Sequence, residues 1–461
     1  MISTPIDRIY EQLVSCGLEY CTDSRSITPG SFFFCLRGER FDANDLVAEI
    51  LEKGASYVVT DNPEFHGHDS VFWVEDSLVA FQQVAAFHAA QLNIQFVAIG
   101  GSNGKTSTKE LVHRVLALKY IVYATPGNFN NHVGVPMTLL ALREEHDVAV
   151  VELGTNHPGE MKELCALFAP EIGVITNIGK EHLEGFGTIE AVAREESELY
   201  LRLQECGGKA MVNADDAWLE NMSKRLTHLT RFSIAHDTAS IQGRVLKAMP
   251  QLEFELIIEG QSVGAFQAEL GGSYNLYNML AAISVGLEMG IDPQQAAEQC
   301  CSYVPTNNRS QWIQTPKTQV YLDAYNANPS SMRASLADFM TLDGSKAILL
   351  GDMFELGETE IQEHKELLDW LWEQAPCDLY LCGPRFKKAA GSFPMVFDTA
   401  DALLAWLDTH PIDAQYAFVK GSRGMKMEKA LEHFQGPQNP KTPRRCSMSD
   451  RMNGLKSRLF S

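Results

Sequence analysis

The segment Gly101-Ser102-Asn103-Gly104-Lys105-Thr106-Ser107 has the residue types of a phosphate-binding loop. It follows an apolar run over residues 96–99 and precedes apolar residues at helical spacing, so a strand, a glycine turn and a helix start are predicted. Glycine lets backbone N–H groups approach phosphate oxygens, and a helix N-terminus adds partial positive charge. In such a loop Lys105 reaches the β- and γ-phosphates and the Thr106 hydroxyl binds Mg²⁺. The segment therefore predicts binding of ATP or GTP with Mg²⁺.

The loop departs from the strict phosphate-loop pattern at one position. That pattern has glycine five residues before the Gly-Lys pair, where this chain has Ile99, and glycines follow at 100 and 101. A glycine-rich turn that binds nothing is the structural alternative. The strand–turn–helix context favours phosphate binding.

Two more apolar runs, over residues 147–151 and 172–176, end in Glu152 and Asn177. Continuous apolar runs are typical of strands buried on both faces of a parallel sheet, and ligands bind beyond the carboxyl ends of such strands. Glu152 is thus predicted to share Mg²⁺ with Thr106, since both offer hard oxygen ligands. The alternative is a buried strand-end carboxylate with a capping role.

Composition limits the class of protein. A hydrophobic content of 45% and a charged content of 21% over 461 residues are typical of a globular chain with two or three domains. The net charge of -21 argues against nucleic acid or an anionic membrane as the main partner. We expect no membrane span and no secretion signal, and the scattered cysteines favour reduced thiols in the cytoplasm.

Strands and helices alternate along most of the chain, which predicts an α/β fold. The alternation suggests one domain over residues 1–92, a central parallel-sheet domain over 93–305 and a Rossmann-like domain over 306–434. Residues 435–461 lack periodicity and carry proline and basic residues, so a disordered tail is predicted there.

Further segments accompany the phosphate loop in a fixed order. They include Thr22-Asp23-Ser24-Arg25, Gly127-Asn128-Phe129-Asn130-Asn131, Asn177-Ile178-Gly179-Lys180-Glu181-His182, Tyr325-Asn326-Ala327-Asn328-Pro329 and Lys420-Gly421-Ser422-Arg423. Together they resemble the Mur ligases of peptidoglycan synthesis, most closely the MurF type, over residues 20 to 430.

The resemblance implies three domains. The first would bind the UDP part of a substrate, the central domain would bind ATP, and the third would close over the reacting groups. It implies an ATP-dependent amide ligase that adds D-alanyl-D-alanine to UDP-N-acetylmuramoyl-tripeptide through an acyl phosphate. ATP and Mg²⁺ would be the cofactors, and a cytoplasmic monomer is expected.

The resemblance also implies roles for single residues. Metal and nucleotide roles fall on Thr106, Glu152, His182, Asn275, Asn278, Arg309 and Asp323. Ser24 and Arg25 would hold the uridine diphosphate half of the substrate. The remaining substrate-binding residues would be Asn130, Asn131, Thr155, Asn326, Asn328, Lys420 and Arg423.

One position differs from the family pattern. Relatives usually carry a carbamylated lysine about fourteen residues after the histidine, and this chain has Glu196 there. Our hypothesis is that the Glu196 carboxylate replaces the carbamate at the second Mg²⁺, with a water bridging its shorter side chain. The alternative is that Glu196 is one of several surface carboxylates on a helix.

Two other functions stay open at this point. One is a different Mur-type or folylpolyglutamate-synthase-like ligase, which the residues of the motifs over 127–131 and 325–329 disfavour. The other is a non-catalytic nucleotide switch, which Glu152 and His182 disfavour because a binder needs one Mg²⁺ and not two. The tripeptide's diamino acid is not determined by the sequence.

Overall fold

A computed structural model describes residues 3–38, 41–374 and 377–434. The predicted tail over 435–461 lies outside the described residues. The described chain forms two compact units, one of residues up to 92 with Leu139–Ala141, the other of 93–138 and 142–434. No helix in these ranges is long and apolar enough to cross a membrane.

The first unit contains a four-stranded parallel sheet in the order β1-β2-β3-β4. Its strands are β1 (Tyr20–Cys21), β2 (Phe32–Phe34), β3 (Tyr57–Thr60) and β4 (Val71–Trp73). Its helices are α1 (Ile6–Ser15), α2 (Val47–Glu52) and α3 (Ser77–Gln91). All three residues of β2 are buried, as expected for a central strand.

The central domain is built on a nine-stranded sheet in the order β13-β12-β11-β10-β9-β8-β5-β7-β6. The pairs β11–β12 and β12–β13 are antiparallel, and all other neighbouring pairs in this sheet are parallel. The strands are β5 (Gln95–Gly100), β6 (Val122–Ala124), β7 (Val148–Glu152), β8 (Ile172–Ile175), β9 (Lys209–Asn213), β10 (Leu229–Ser233), β11 (Ile241–Lys247), β12 (Leu252–Ile258) and β13 (Gln261–Ala268). The helices are α4 (Lys105–Leu116), α5 (Gly134–Leu140), α6 (Glu160–Cys165), α7 (Leu183–Phe186), α8 (Ile189–Cys206), α9 (Ala217–Ser223), α10 (Ser273–Glu288) and α11 (Pro293–Cys301).

The core of the central domain positions α4, the helix after the phosphate loop. Val112 and Val115 of α4 pack in one apolar cluster with Leu276 and Leu280 of α10. A methyl group on Gly286 would lie 2.5 Å from Val115 Cγ1, so the absence of a side chain there allows the two helices to approach closely. The start of α4 is thereby fixed against the sheet.

The C-terminal domain is built on a six-stranded sheet in the order β14-β15-β19-β16-β17-β18, antiparallel only at β14. The strands are β14 (Gln311–Gln314), β15 (Gln319–Asp323), β16 (Lys346–Gly351), β17 (Asp378–Cys382), β18 (Val396–Phe397) and β19 (Tyr416–Lys420). The helices are α12 (Pro329–Met340), α13 (Glu360–Trp372), α14 (Pro384–Ala390), α15 (Ala400–Leu407) and α16 (Leu431–Phe434). Successive residues of β16 enter two separate apolar clusters, as a strand covered on both faces requires.

The α/β fold class predicted from the alternation is confirmed. At the end of the C-terminal domain, 3₁₀ turns at Arg423–Met425 and Met427–Ala430 precede the short α16. Lys426 adopts a left-handed φ of 55° between the two turns, and that conformation interrupts a continuous helix. The residue boundaries of the three domains stay a prediction.

Candidate active site

A cleft of about 650 Å³ lies within the second unit, between the carboxyl ends of the central strands and the C-terminal domain. Most of the residues predicted from the sequence line it. These are Ser102, Asn103, Gly104, Lys105, Thr106, Ser107, Asn130, Asn131, Glu152, Thr155, His182, Asn275, Asn278, Arg309, Asp323, Asn326, Asn328 and Lys420. Gly101, Glu196 and Arg423 are not among the lining residues.

The phosphate loop depends on two glycines with positive φ. Gly104 has φ of 86°, and a side chain there would place Cβ 2.4 Å from Asn278 Oδ1. Gly101 has φ of 110°, and its Cβ would lie 2.2 Å from Thr176 Oγ1. Both positions therefore require glycine for conformation and for space. This is the physical reason for the glycines of the loop, although the strict pattern is not met at Ile99.

Lys105 lies at the first position of α4 and is folded onto its own loop. Its Nζ donates to the carbonyl oxygens of Gly101 and, at 3.3 Å, Ser102. Burial alone lowers the pKa of Lys105, but the charges of Glu181, Glu196 and Glu152 outweigh this effect and the pKa is raised. The ammonium is therefore charged, and its Nζ lies 3.5 Å from Glu181 Oε2.

Thr106 and Glu152 meet where Mg²⁺ is predicted. Thr106 Oγ1 donates to Glu152 Oε1 at 3.1 Å, and Asn130 Nδ2 donates to the same oxygen at 2.9 Å. The other oxygen, Glu152 Oε2, is buried without a hydrogen-bond partner, and the nearest cation is Lys109 Nζ at 3.9 Å. Since neighbouring oxygens around Mg²⁺ lie roughly 3 Å apart, these side chains fit the ion. Within the described ranges no cluster of three or more acidic, His or Cys side chains forms a metal site, so phosphates or water would complete the shell.

His182 lies beside the cleft and is held from the C-terminal domain. Its Nδ1 is 2.6 Å from Glu355 Oε2, and its Nε2 is 3.9 Å from Glu181 Oε2. The hydrogen bond from His182 holds the pKa of Glu355 below its usual range, so that carboxylate is ionised. The imidazole and the phosphate loop are thus brought together, as predicted, with two carboxylates around the ring.

Glu196 lies behind the loop. It is 1% exposed, and its Oε2 accepts a hydrogen bond from Gly101 N at 2.7 Å. Burial raises the pKa of Glu196 to about 8, against the opposing effect of Lys105. The alternative of a surface carboxylate is therefore wrong for this residue, and its predicted role at a second Mg²⁺ stays a prediction.

Asn275 and Asn278 form a buried polar network beneath α4. Asn278 Nδ2 donates to Asn275 Oδ1 at 3.1 Å, and Asn278 Oδ1 accepts from Thr108 Oγ1 at 3.2 Å. Asn275 Nδ2 donates to Gly271 O at 2.8 Å. These bonds join α10 to the start of α4, so both amides support the loop in addition to lining the cleft.

Arg309 and Arg423 both contact Tyr325. The Arg309 guanidinium lies 3.6 Å from the ring centroid and that of Arg423 lies 5.1 Å away. Arg309 Nε is buried and has no hydrogen-bond partner. Stacking fixes the plane of the Arg309 fork, which then presents N–H donors suited to an anion.

Contacts across the cleft connect the phosphate loop to the C-terminal domain. Asn328 caps α12 by accepting from Ser331 N at 2.8 Å, and its Nδ2 donates to Asn103 Oδ1 at 2.8 Å. Asp323 forms a buried ion pair with Lys420 and accepts from Ser310 N at 3.1 Å. In this state both charges of the pair are already satisfied.

The other predicted substrate residues are placed as follows. Asn131 Oδ1 accepts from Gly134 N at 2.9 Å, and Asn326 Oδ1 accepts from Ala327 N at 2.9 Å, so both amides shape turns. Thr155 is buried at the cleft. Ser24 and Arg25 belong to the first unit, where Arg25 pairs with Asp23 at 2.9 Å.

Sequence reasoning missed three charged residues of the site. Glu181 and Glu355 flank His182, and Lys109 lies one helical turn beyond Lys105 with its Nζ donating to Thr125 O at 2.7 Å. The four-residue spacing of the lysines could have indicated Lys109, because residues four apart share a helix face. The contact of Glu355 with His182 could not be predicted from local sequence, since it depends on the position of the C-terminal domain.

Comparisons with known proteins identify the family of the chain. Residues 99–286 match the Mur ligase middle domain, and residues 308–422 match the Mur ligase, glutamate ligase domain. The chain is 32% identical to the UDP-N-acetylmuramoyl-tripeptide–D-alanyl-D-alanine ligase of Bacillus subtilis, over 92% of this chain and 94% of the relative. It is 36% identical to the ligase of that name from Escherichia coli, over 90% and 93%.

A solved structure extends the comparison to the fold. The crystal structure of MurF from Acinetobacter baumannii aligns with a TM-score of 0.82 and 29% identity, over 93% of this chain and 98% of that chain. The likeness runs through almost the whole length of both chains. The chain therefore belongs to the Mur ligase family and, within it, to the MurF type.

Proposed function

We propose that this protein uses ATP to join D-alanyl-D-alanine to the terminal carboxylate of a UDP-N-acetylmuramoyl-tripeptide. The observation that carries the proposal is the convergence of Lys105, Thr106 and Glu152 at one cleft with Arg309 from the chain entering the C-terminal domain. The substrates are those named for the Bacillus subtilis and Escherichia coli relatives. Cytoplasmic location and a monomeric state stay predictions.

The first step joins two anions. A carboxylate oxygen of the tripeptide attacks the γ-phosphorus of ATP, the bond to the β-phosphate oxygen breaks, and ADP leaves with an acyl phosphate formed. Lys105 and Arg309 would hold the phosphates and reduce the repulsion between the reactants. Mg²⁺ on Thr106 and Glu152, when bound, would supply further positive charge at the phosphate oxygens.

The second step forms the amide. The amine nitrogen of the dipeptide attacks the acyl carbon, the bond from that carbon to the phosphate oxygen breaks, and the amine loses a proton as phosphate departs. Asn326 and Asn328 of the C-terminal domain lie on the cleft and could orient the incoming dipeptide. Contacts such as that between Asn328 and Asn103 would exclude water, which would otherwise hydrolyse the acyl phosphate.

Phosphate release tests the proposal. The purified full chain is mixed with ATP and Mg²⁺, with the UDP-tripeptide and the dipeptide added singly and together. We expect rapid release only with both, with ADP, phosphate and UDP-pentapeptide formed in equal amounts. Lys105→Met should abolish release.

Two substitute substrates separate the alternatives. A single amino acid in place of the dipeptide should give little product, and its efficient use would indicate a different Mur-type ligase. ATP binding without product under any combination would favour a nucleotide switch and contradict the proposal.

A further inference from the structure

Tyr274 lines the cleft but belongs neither to the phosphate loop nor to the side chains around Glu152. It lies in the first turn of α10, next to Ser273, whose backbone N donates to Asp338 Oδ2 of α12 at 2.6 Å. Gly272 has φ of 99°, and a side chain there would place Cβ 2.6 Å from Tyr274 Cε1. The ring of Tyr274 is thus held where α10 meets the C-terminal domain.

The Tyr274 hydroxyl contacts two other hydroxyl groups, both from the chain that enters the C-terminal domain. It lies 2.8 Å from Ser310 Oγ and within hydrogen-bond distance of Tyr321 OH. Tyr321 is fully buried in β15, and Ser310 is 8% exposed. Burial raises the pKa of Tyr274 above its ordinary value, so the phenol keeps its proton and can donate. Loss of the Tyr274 hydroxyl would remove a hydrogen-bond partner from two buried groups.

Ser310 belongs to a turn whose backbone is strained on both sides of Arg309. Asn308 has φ of 53° and Ser310 has φ of 48°, so both neighbours of Arg309 are left-handed. For residues other than glycine this conformation is unfavourable and persists only where the surrounding structure holds it. Ser310 is held twice, since its backbone N donates to Asp323 Oδ1 at 3.1 Å and its Oγ contacts Tyr274. The hydroxyl of Tyr274 therefore helps to hold the turn that carries Arg309.

The Arg309 side chain depends on this turn for its direction. Its guanidinium lies 3.6 Å from the ring centroid of Tyr325, and its Nε is buried without a hydrogen-bond partner. Stacking fixes the plane of the guanidinium group but leaves its N–H donors for an anion. The position of that plane along the cleft is set by the backbone on which Arg309 stands.

We propose that Tyr274 is a positioning residue of Arg309, whose hydroxyl acts through Ser310 on the turn that directs the guanidinium to the phosphates of ATP. The inference rests on the proposed function, in which Arg309 holds those phosphates. The alternative is that the Tyr274 hydroxyl serves the base or the ribose directly. The two roles differ in whether the effect of the hydroxyl depends on Arg309.

A double-mutant cycle on the full chain separates the two roles. Calorimetry measures the Kd of a non-hydrolysable ATP analogue with Mg²⁺. Tyr274→Phe keeps the ring and removes the hydroxyl, and it should weaken binding about 10-fold, as expected when a hydrogen bond to a charged group is lost. Arg309→Met should weaken binding by at least as much. Tyr274→Phe added to Arg309→Met should change the Kd by no more than about 2-fold, because the group that it positions is already absent.

Tyr120→Phe is the matched control. It removes a hydroxyl that donates to Met289 O at 2.9 Å in the same domain, and Tyr120 does not line the cleft. Its Kd for the analogue should stay within about 2-fold of the wild-type value. The control separates a general loss of stability from a loss of direction at Arg309.

Losses that add in the double variant would overturn the proposal and indicate direct contact of Tyr274 with the nucleotide. An unchanged Kd for Tyr274→Phe would also overturn it. If Tyr274→Phe does not fold, Ser310→Ala removes the other side of the same hydrogen bond and carries the same expectations. Binding of the analogue needs neither the tripeptide nor the dipeptide, so the cycle can be decided even if dipeptide-dependent phosphate release fails.

Discussion

Replacing Glu196 with glutamine tests the environment behind the phosphate loop. Glu196 is 1% exposed and accepts a hydrogen bond from Gly101 N, and glutamine retains an oxygen for that bond. The change removes a buried titratable group while preserving its shape. It therefore isolates the electrostatic contribution of Glu196 to stability.

The magnitude follows from the pKa of Glu196. Burial raises that pKa from 4.5 to about 8. Between these values the unfolded chain loses the proton first and the folded chain retains it, so the free energy of unfolding falls as pH rises. At about 1.4 kcal/mol per pH unit, the full loss is about 5 kcal/mol and is complete above about pH 8. The free energy of unfolding of Glu196→Gln should not fall in this way, because the glutamine side chain does not titrate.

Thermal unfolding at about pH 5.5 and about pH 8.5 measures the effect. At roughly 2 to 4 °C per kcal/mol, the Tm advantage of Glu196→Gln over the wild-type protein should widen by at least about 5 °C at the higher pH. The exposed Glu190 lies in the first turn of the same helix, and Glu190→Gln should give no such widening. A difference in Tm between the two proteins that does not change with pH would refute the reasoning. So would a Glu196→Gln variant that is less stable than the wild-type protein at the higher pH.

Three further predictions concern the cleft. Gly104→Ala should weaken ATP binding at least about 10-fold in calorimetry, because the new Cβ would lie 2.4 Å from a side-chain oxygen of α10. The control is Gly159→Ala, which is also at positive φ but has no atom within 4 Å of the new Cβ, and it should leave ATP binding unchanged. Asn328 and Thr399 each cap a helix, and replacing either with alanine should lower the Tm through the loss of about 1 kcal/mol of stability. Only Asn328→Ala should also raise the KM for ATP. Glu152→Gln should increase the Mg²⁺ concentration for half-maximal phosphate release about 10-fold or more, and an unchanged requirement would contradict its role as a ligand.

Much of the site was predictable because its signals are local. The phosphate loop needs only a strand, glycines, a lysine and a helix start within one short segment. The strand predicted to end at Glu152 is observed over Val148–Glu152, since a continuous apolar run both forms and buries a parallel strand. Resemblance added Arg309 and Asn328 through their order along the chain, and both line the cleft.

The sequence by itself determined the α/β class and pointed to Lys105 and Thr106, the two residues that we propose bind phosphate and metal. Only the tertiary structure decided which anions surround them. Asn328 meets Asn103 across 225 residues, and Glu355 meets His182 only because the C-terminal domain packs against the cleft. The distinction between Glu181, which faces the cleft, and Glu196, which lies behind the loop, is likewise tertiary. Local spacing specifies backbone conformation, whereas burial and the distance between charges depend on chain segments that are far apart in sequence.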